Sequence, residues 1–249
     1  MKNTIKILFL IYLFAGLQII AFCQNRIELT IPTAAEETEY VWRTIRDISF
    51  FEKFNYQVNL PKGKLIIDLI NRSKANNLND HDYKSLQQYL QDSIYKKSDY
   101  KAGYQKIAEQ EKLINELINK INKCKKNWKF REFQTYRIHL TLYGSGGSYN
   151  PDDGSIIIFT TPEGQFKSYQ NPANTIIHEV THIGMEASIM QQYNVPHAMK
   201  ERIIDQFVLI HFGNALPSYR LQDLGDNRID QYLKKKSDFK NLHLIIEHL

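Results

Sequence analysis

The chain is 249 residues long, enough for one sizeable core or two small ones sharing an interface. Its formal net charge of +5 is spread along the sequence. The clusters KCKK (123–126) and KKK (234–236) read as solvated faces with no stacking aromatics between the cations, which argues against nucleic-acid binding.

The first residues read as an export signal. Lys2 and Lys6 precede the apolar run ILFLIYLFAGLQIIAF, and Ala21 and Cys23 are small residues at the spacing a signal peptidase needs. Cleavage near Cys23 leaves Cys124 as the only cysteine, so no internal disulfide can form and stability must come from the core or from a metal. A lipid anchor on Cys23 is disfavoured because Phe22 is bulky where such sites want a small residue. A retained membrane anchor is the other alternative, since the run is barely long enough to span. No other segment approaches that length, so the expected mature protein is exported, periplasmic or secreted, and free of the membrane.

RIELTIP reads as a short strand, and Thr33 with Glu36 forms a capping box that starts a helix. FNYQVNL (54–60) places Phe54, Tyr56, Val58 and Leu60 on one face, the period of a strand. From Lys64 to Lys126 the pattern predicts two or three helices, broken at NNLNDHD where Asp80 can cap the next one. Ile107, Ile114, Leu117, Ile118 and Ile121 make a packing stripe on the last of them. Apolar residues at even positions from Trp128 to Leu142 predict a strand, and SIIIFT (155–160) a second. The GSGGSYNPDDG between them reads as a turn-rich hairpin connection, lacking the lysine and following helix of a phosphate-binding loop. Helices then start at Asn171–Pro172, at Pro196 and near Asn241, with Gly213 placed to end the second.

The chemistry lies in TIIHEVTHIGMEA (175–187). At about 100° per residue, Ile176, Val180, Ile183 and Ala187 share one side of a helix and His178, His182 and Glu186 the other. Histidines one turn apart can reach one ion, and Glu179 sits beside them. This is the histidine-glutamate-x-x-histidine pattern, in which two imidazoles bind zinc and the carboxylate takes a proton from water. A catalytic zinc site needs a third protein ligand and an open position. Glu186 is one candidate, but it lies about 5.4 Å further along the axis than His182, which favours a ligand from another helix. The helix from Pro196 to Gly213 is apolar nearly all round in its second half. It nevertheless carries Glu201 and Asp205 on a stripe with Val208 and Phe212, and buried carboxylates need a cation or hydrogen-bond donors.

Eighteen residues (183–200) lie between His182 and Glu201, and Asp205 follows four positions after Glu201. Over about residues 136 to 213 this arrangement resembles the gluzincin metallopeptidases, the thermolysin-like class. The resemblance implies zinc held by His178, His182 and Glu201, Glu179 as general base, and Asp205 hydrogen-bonded to His178. It also implies a peptide substrate laid against an edge strand, for which SIIIFT is the candidate. The family's transition-state-stabilising tyrosine or histidine has no motif here; Tyr193, His197, His211, Tyr219 and Arg220 are the nearby candidates.

The expectation is therefore an α+β fold in which a small sheet with an edge strand packs on a two-helix zinc-binding core. A signal over 1–23 and a mainly helical region over 24–127 precede a zincin-like catalytic domain over 128–249. The expected function is an exported zinc metallopeptidase acting on a peptide or protein, or on another amide such as a cell-wall peptide. The alternative is a non-catalytic exported protein whose structural zinc joins two helices, with Glu186 or His197 as a fourth ligand.

Overall fold

The computed structural model describes residues 25–248 apart from 125, 168–170 and 224. The expected export signal, Cys23 included, lies outside the described residues. The fold is α+β. Arg26–Thr30 (β1), Thr135–Thr141 (β2), Gly147–Asn150 (β3) and Ser155–Phe159 (β4) form one sheet in the order β1-β2-β4-β3. The first two and β4 run parallel, and β3 is antiparallel to β4. Alternation works as the sequence implies: Tyr136, Ile138 and Leu140 of β2 and Ile156 and Ile158 of β4 are buried.

Two readings are corrected by this topology. SIIIFT is an interior strand between β2 and β3, and the edge is β3, built from GSYN inside the segment read as a bare connection. The hairpin turn is confined to Pro151–Gly154, where Gly154 takes the left-handed φ of 71°. FNYQVNL forms no strand; Asn59 makes a single antiparallel bridge with Gly144. Asn55, at φ 55°, breaks the extended run, and the Tyr56 N–H closes back onto Phe51 O.

The helices are Ala34–Arg46 (α1), Ile48–Lys53 (α2), Lys64–Lys74 (α3), Asp80–Tyr89 (α4), Lys101–Lys123 (α5), Pro172–Met185 (α6), His197–Phe212 (α7) and Leu242–Glu247 (α8). Thr33 and Glu36 make the expected capping box on α1. On α4 the cap is Asn79 rather than Asp80, because Asp82 completes a second capping box with it. Asn171 caps α6, accepting from the Ala173 N–H, with Pro172 in the first turn. No helix among the described residues is long and apolar enough to cross a membrane.

One core joins β1, α5, the rest of the sheet, α6 and α7. The α5 stripe of Ile107, Ile114, Leu117, Ile118 and Ile121 is wholly buried in it, at about 1.5–3 kcal/mol per side chain relative to exposure. A smaller core of Val41, Ile45, Ile66, Leu69, Leu86 and Leu90 holds α1, α3 and α4 together. Every residue of α6 is buried. Its polar face is covered as fully as its apolar one, by α7 and β3. Gly184 permits this on the apolar side: a Cβ there would meet the Phe130 ring at 1.9 Å.

Glu37 of α1 links the two halves. Its Oε1 accepts from the Tyr100 hydroxyl at 2.8 Å and the Leu142 N–H at 2.9 Å, while the buried Oε2 has no partner among the described residues. Burial pushes its carboxyl up to about 7. A folded pKa above the unfolded value makes the native state the better proton binder, so stability falls as pH rises from about 4.5 to 7. Glu37→Gln keeps one acceptor and removes the charge. The variant is expected to be more stable than wild type at pH 8, by up to about 3 kcal/mol, and similar at pH 4. Thermal melts of both proteins at the two pH values check this; a parallel pH dependence would show that the Glu37 pKa is the same in the folded and unfolded chain, so that burial does not raise it.

Candidate metal centre

His178 and His182 lie one turn apart on the α6 face turned toward α7, and Glu201 comes from the first half of α7. All three are buried, and each offers a ligand atom into one cluster. His178 Nε2 and His182 Nε2 are 3.0 Å apart, and each is 3.4 Å from Glu201 Oε2. Metal–nitrogen bonds of about 2.0–2.1 Å at a tetrahedral angle place ligand atoms about 3.3 Å apart, so this triangle has the size of three corners around a small divalent ion. The group could hold a metal ion.

The electrostatics fit a cation at the same point. Burial works against charge on His178, yet the nearby carboxylates of Asp205 and Glu201 hold its pKa well above the usual range. Burial likewise opposes charge on Glu201, but His182 and His178 hold its carboxyl well below the usual carboxylate value. Burial lowers His182. Positive charge is therefore favoured at Nε2 of His178, facing Glu201. A divalent ion held there would take the place of that proton, so its binding would release protons and weaken at low pH.

Behind His178 stands a fixed relay. Its Nδ1 is 2.7 Å from the Tyr219 hydroxyl, which donates to Asp205 Oδ1 at 2.7 Å; the direct Nδ1–Oδ1 separation is 3.3 Å. The contact expected between Asp205 and His178 thus runs chiefly through Tyr219, whose hydroxyl is occupied there. Asp205 Oδ2 accepts the Gln222 N–H at 2.6 Å, and Gln222 Nε2 donates to Glu201 Oε2 at 3.2 Å. This loop after α7 fixes the aspartate as an acceptor and the imidazole ring in one orientation.

Glu179 is buried beside the triad, and burial pushes its carboxyl up to about 7. It points at the edge strand: a Cβ on Gly147 would come within 2.2 Å of Glu179 Oε1 and 2.6 Å of Thr175 Cγ2. Glycine at 147 is what lets β3 lie over the carboxylate.

No protein-family model, curated protein or solved structure matches this chain. Its chemistry is read from the side chains alone.

These side chains line a cleft of about 1200 Å³ between α1–α2 on one side and α6–α7 on the other, with β3 in its wall. His197 lines it too, with Nδ1 3.7 Å from Glu201 Oε1 and Nε2 2.9 Å from the Tyr56 hydroxyl. Arg220 also faces the cleft, its guanidinium donating to the Pro217 and Tyr219 carbonyls. Tyr193 and His211 do not: Tyr193 lies beside Glu247, and His211 stacks on Phe207 with Nδ1 3.0 Å from the Phe207 carbonyl. Glu186 lies outside the triad, where its Oε2 accepts from the Tyr149 hydroxyl at 2.6 Å. Sequence reasoning missed Tyr149, Lys200, Gln222 and Tyr56. Of these, Tyr149 carried the one available signal, an aromatic residue two positions after a glycine in a segment flanked by strands.

Proposed function

We propose that the protein is an exported zinc-dependent metallopeptidase, with the metal held by His178, His182 and Glu201. The observation that carries this reading is the convergence of two buried imidazoles and one carboxylate on a single point, beside Glu179 and open to a cleft. Bound zinc supplies a Lewis acid that polarises a carbonyl oxygen and lowers the pKa of water.

The chain's own groups account for the rest of the reaction. Glu179 accepts a proton from the attacking water as its oxygen bonds the carbonyl carbon, then delivers that proton to the amine nitrogen as the carbon–nitrogen bond breaks. Its raised pKa suits a group that must both take and give a proton near neutrality. Asp205, through Tyr219, holds His178 with Nε2 toward the triad. Among the described residues β3 pairs only with β4. Its other edge can accept an extended peptide through main-chain hydrogen bonds, which fits a peptide substrate better than a compact one. The Glu179 carboxylate lies against Gly147 of that same strand, which supports its proposed role as the base.

The rival reading, a closed structural zinc site, needs a fourth protein ligand. Glu186 is bound to Tyr149, and His197 has its Nε2 taken by Tyr56, which leaves its Nδ1 on the far oxygen of Glu201. The test is cleavage of a peptide library by the purified protein with zinc and after chelation. Cleavage that survives complete removal of the metal overturns the reading.

A further inference from the structure

The two histidines are held in different ways. His178 is fixed through Nδ1 by Tyr219 and Asp205, whereas Nδ1 of His182 is buried with no partner among the described residues. An imidazole without a bond on its second nitrogen can turn about its Cβ–Cγ bond, and a turned ring no longer aims Nε2 at the triad. Something else must set its plane.

Tyr149 of the edge strand lies flat on it, with ring centroids 4.7 Å apart and 10° between planes. The phenol is itself pinned at its far end. Its hydroxyl donates to Glu186 Oε2 at 2.6 Å and accepts from Lys200 Nζ at 3.0 Å, and the lysine and glutamate are 3.5 Å apart. Glu186 follows α6 directly and Lys200 adjoins the ligand Glu201, so the tyrosine is tied to both ligand-bearing segments. We infer that Tyr149 is a positioning residue for the metal site, fixing the His182 ring by stacking while Glu186 and Lys200 fix the tyrosine. This rests on the metal site proposed above. It also assigns a task to Glu186, which the sequence places on the ligand face but the geometry keeps from the ion, and it ties the strand proposed to receive the peptide to a metal ligand.

The test is zinc affinity of the full chain by competition with a chromophoric chelator, with the absorption spectrum of the cobalt(II)-loaded protein as second readout. Tyr149→Leu removes the stack and is expected to lower affinity about 10–100-fold and to shift the cobalt bands. Tyr149 also packs against the main core, so the melting temperature of the metal-free variant is measured alongside to separate lost packing from lost positioning of His182. Tyr149→Phe and Glu186→Ala keep a ring on His182, and each should lower affinity less than Tyr149→Leu. Combined, they should lose little more than either alone, since both break the same hydrogen bond. If Tyr149→Leu does not fold, this pair decides. Wild-type affinity in the leucine variant, or in both of the pair, overturns the role of Tyr149. Absence of any divalent-ion binding by the wild type overturns the metal site and this inference with it.

Discussion

Glu179→Gln is expected to reduce peptide hydrolysis by a factor on the order of 10²–10⁴, with one zinc still bound per chain. The Glu179 carboxylate lies beside the triad and against Gly147 of the edge strand, and in the proposed reaction it is the group that takes the proton of the attacking water. Glutamine has the same shape and fits the narrow space left under Gly147. It cannot accept the proton. Loss of a buried carboxyl whose charge the fold disfavours should also leave stability intact. Turnover is measured on zinc-loaded protein, with metal content determined on the same sample. Undiminished turnover in the metal-loaded variant would remove Glu179 from the reaction; loss of zinc along with turnover would recast it as a support of the site.

What could be read in advance follows from where each signal resides. The capping box at Thr33 and Glu36, the Asn171–Pro172 start of α6 and the α5 stripe are local patterns fixed by backbone hydrogen bonds and a 3.6-residue period, and they appear where expected. The edge strand was not legible, because GSYN has weak strand propensity. Its glycine is dictated by the Glu179 carboxylate and its pairing by β4, both tertiary facts. FNYQVNL fails for the opposite reason: the alternation is present, but its aromatics serve another end. Phe54 and Tyr56 pack around His197 instead of lying on a sheet.

The site divides the same way. His178, Glu179 and His182 are set by one turn of one helix, and Glu201 with Asp205 by one turn of the next, so spacing alone exposes them. Tyr149, Gln222 and Tyr56 arrive from loops and an edge strand, whose meeting depends on the whole chain. Nearness in sequence misled for Tyr193 and His211: α7 packs His211 against Phe207 and Phe239, and the turn before it carries Tyr193 toward Glu247.

The identity of the third ligand separates two helices and gives the second large effect. Glu201→Ala is expected to abolish stoichiometric zinc binding, a greater loss than the roughly 10–100-fold of an outer-shell change. The variant removes one corner of the triangle and the negative charge that faces both imidazoles. Only two neutral donors then remain. Glu186→Ala is expected to keep one zinc per chain at saturation, because Glu186 Oε2 is engaged by the Tyr149 hydroxyl and lies 3.5 Å from Lys200, outside the cluster. Metal analysis of both variants after dialysis against buffered zinc makes the comparison. If Glu186→Ala loses the metal and Glu201→Ala keeps it, the ligands all come from the α6 segment. Glu201 would then be a buried carboxylate held by Gln222 and the histidines, and α7 would lie over the site without closing it.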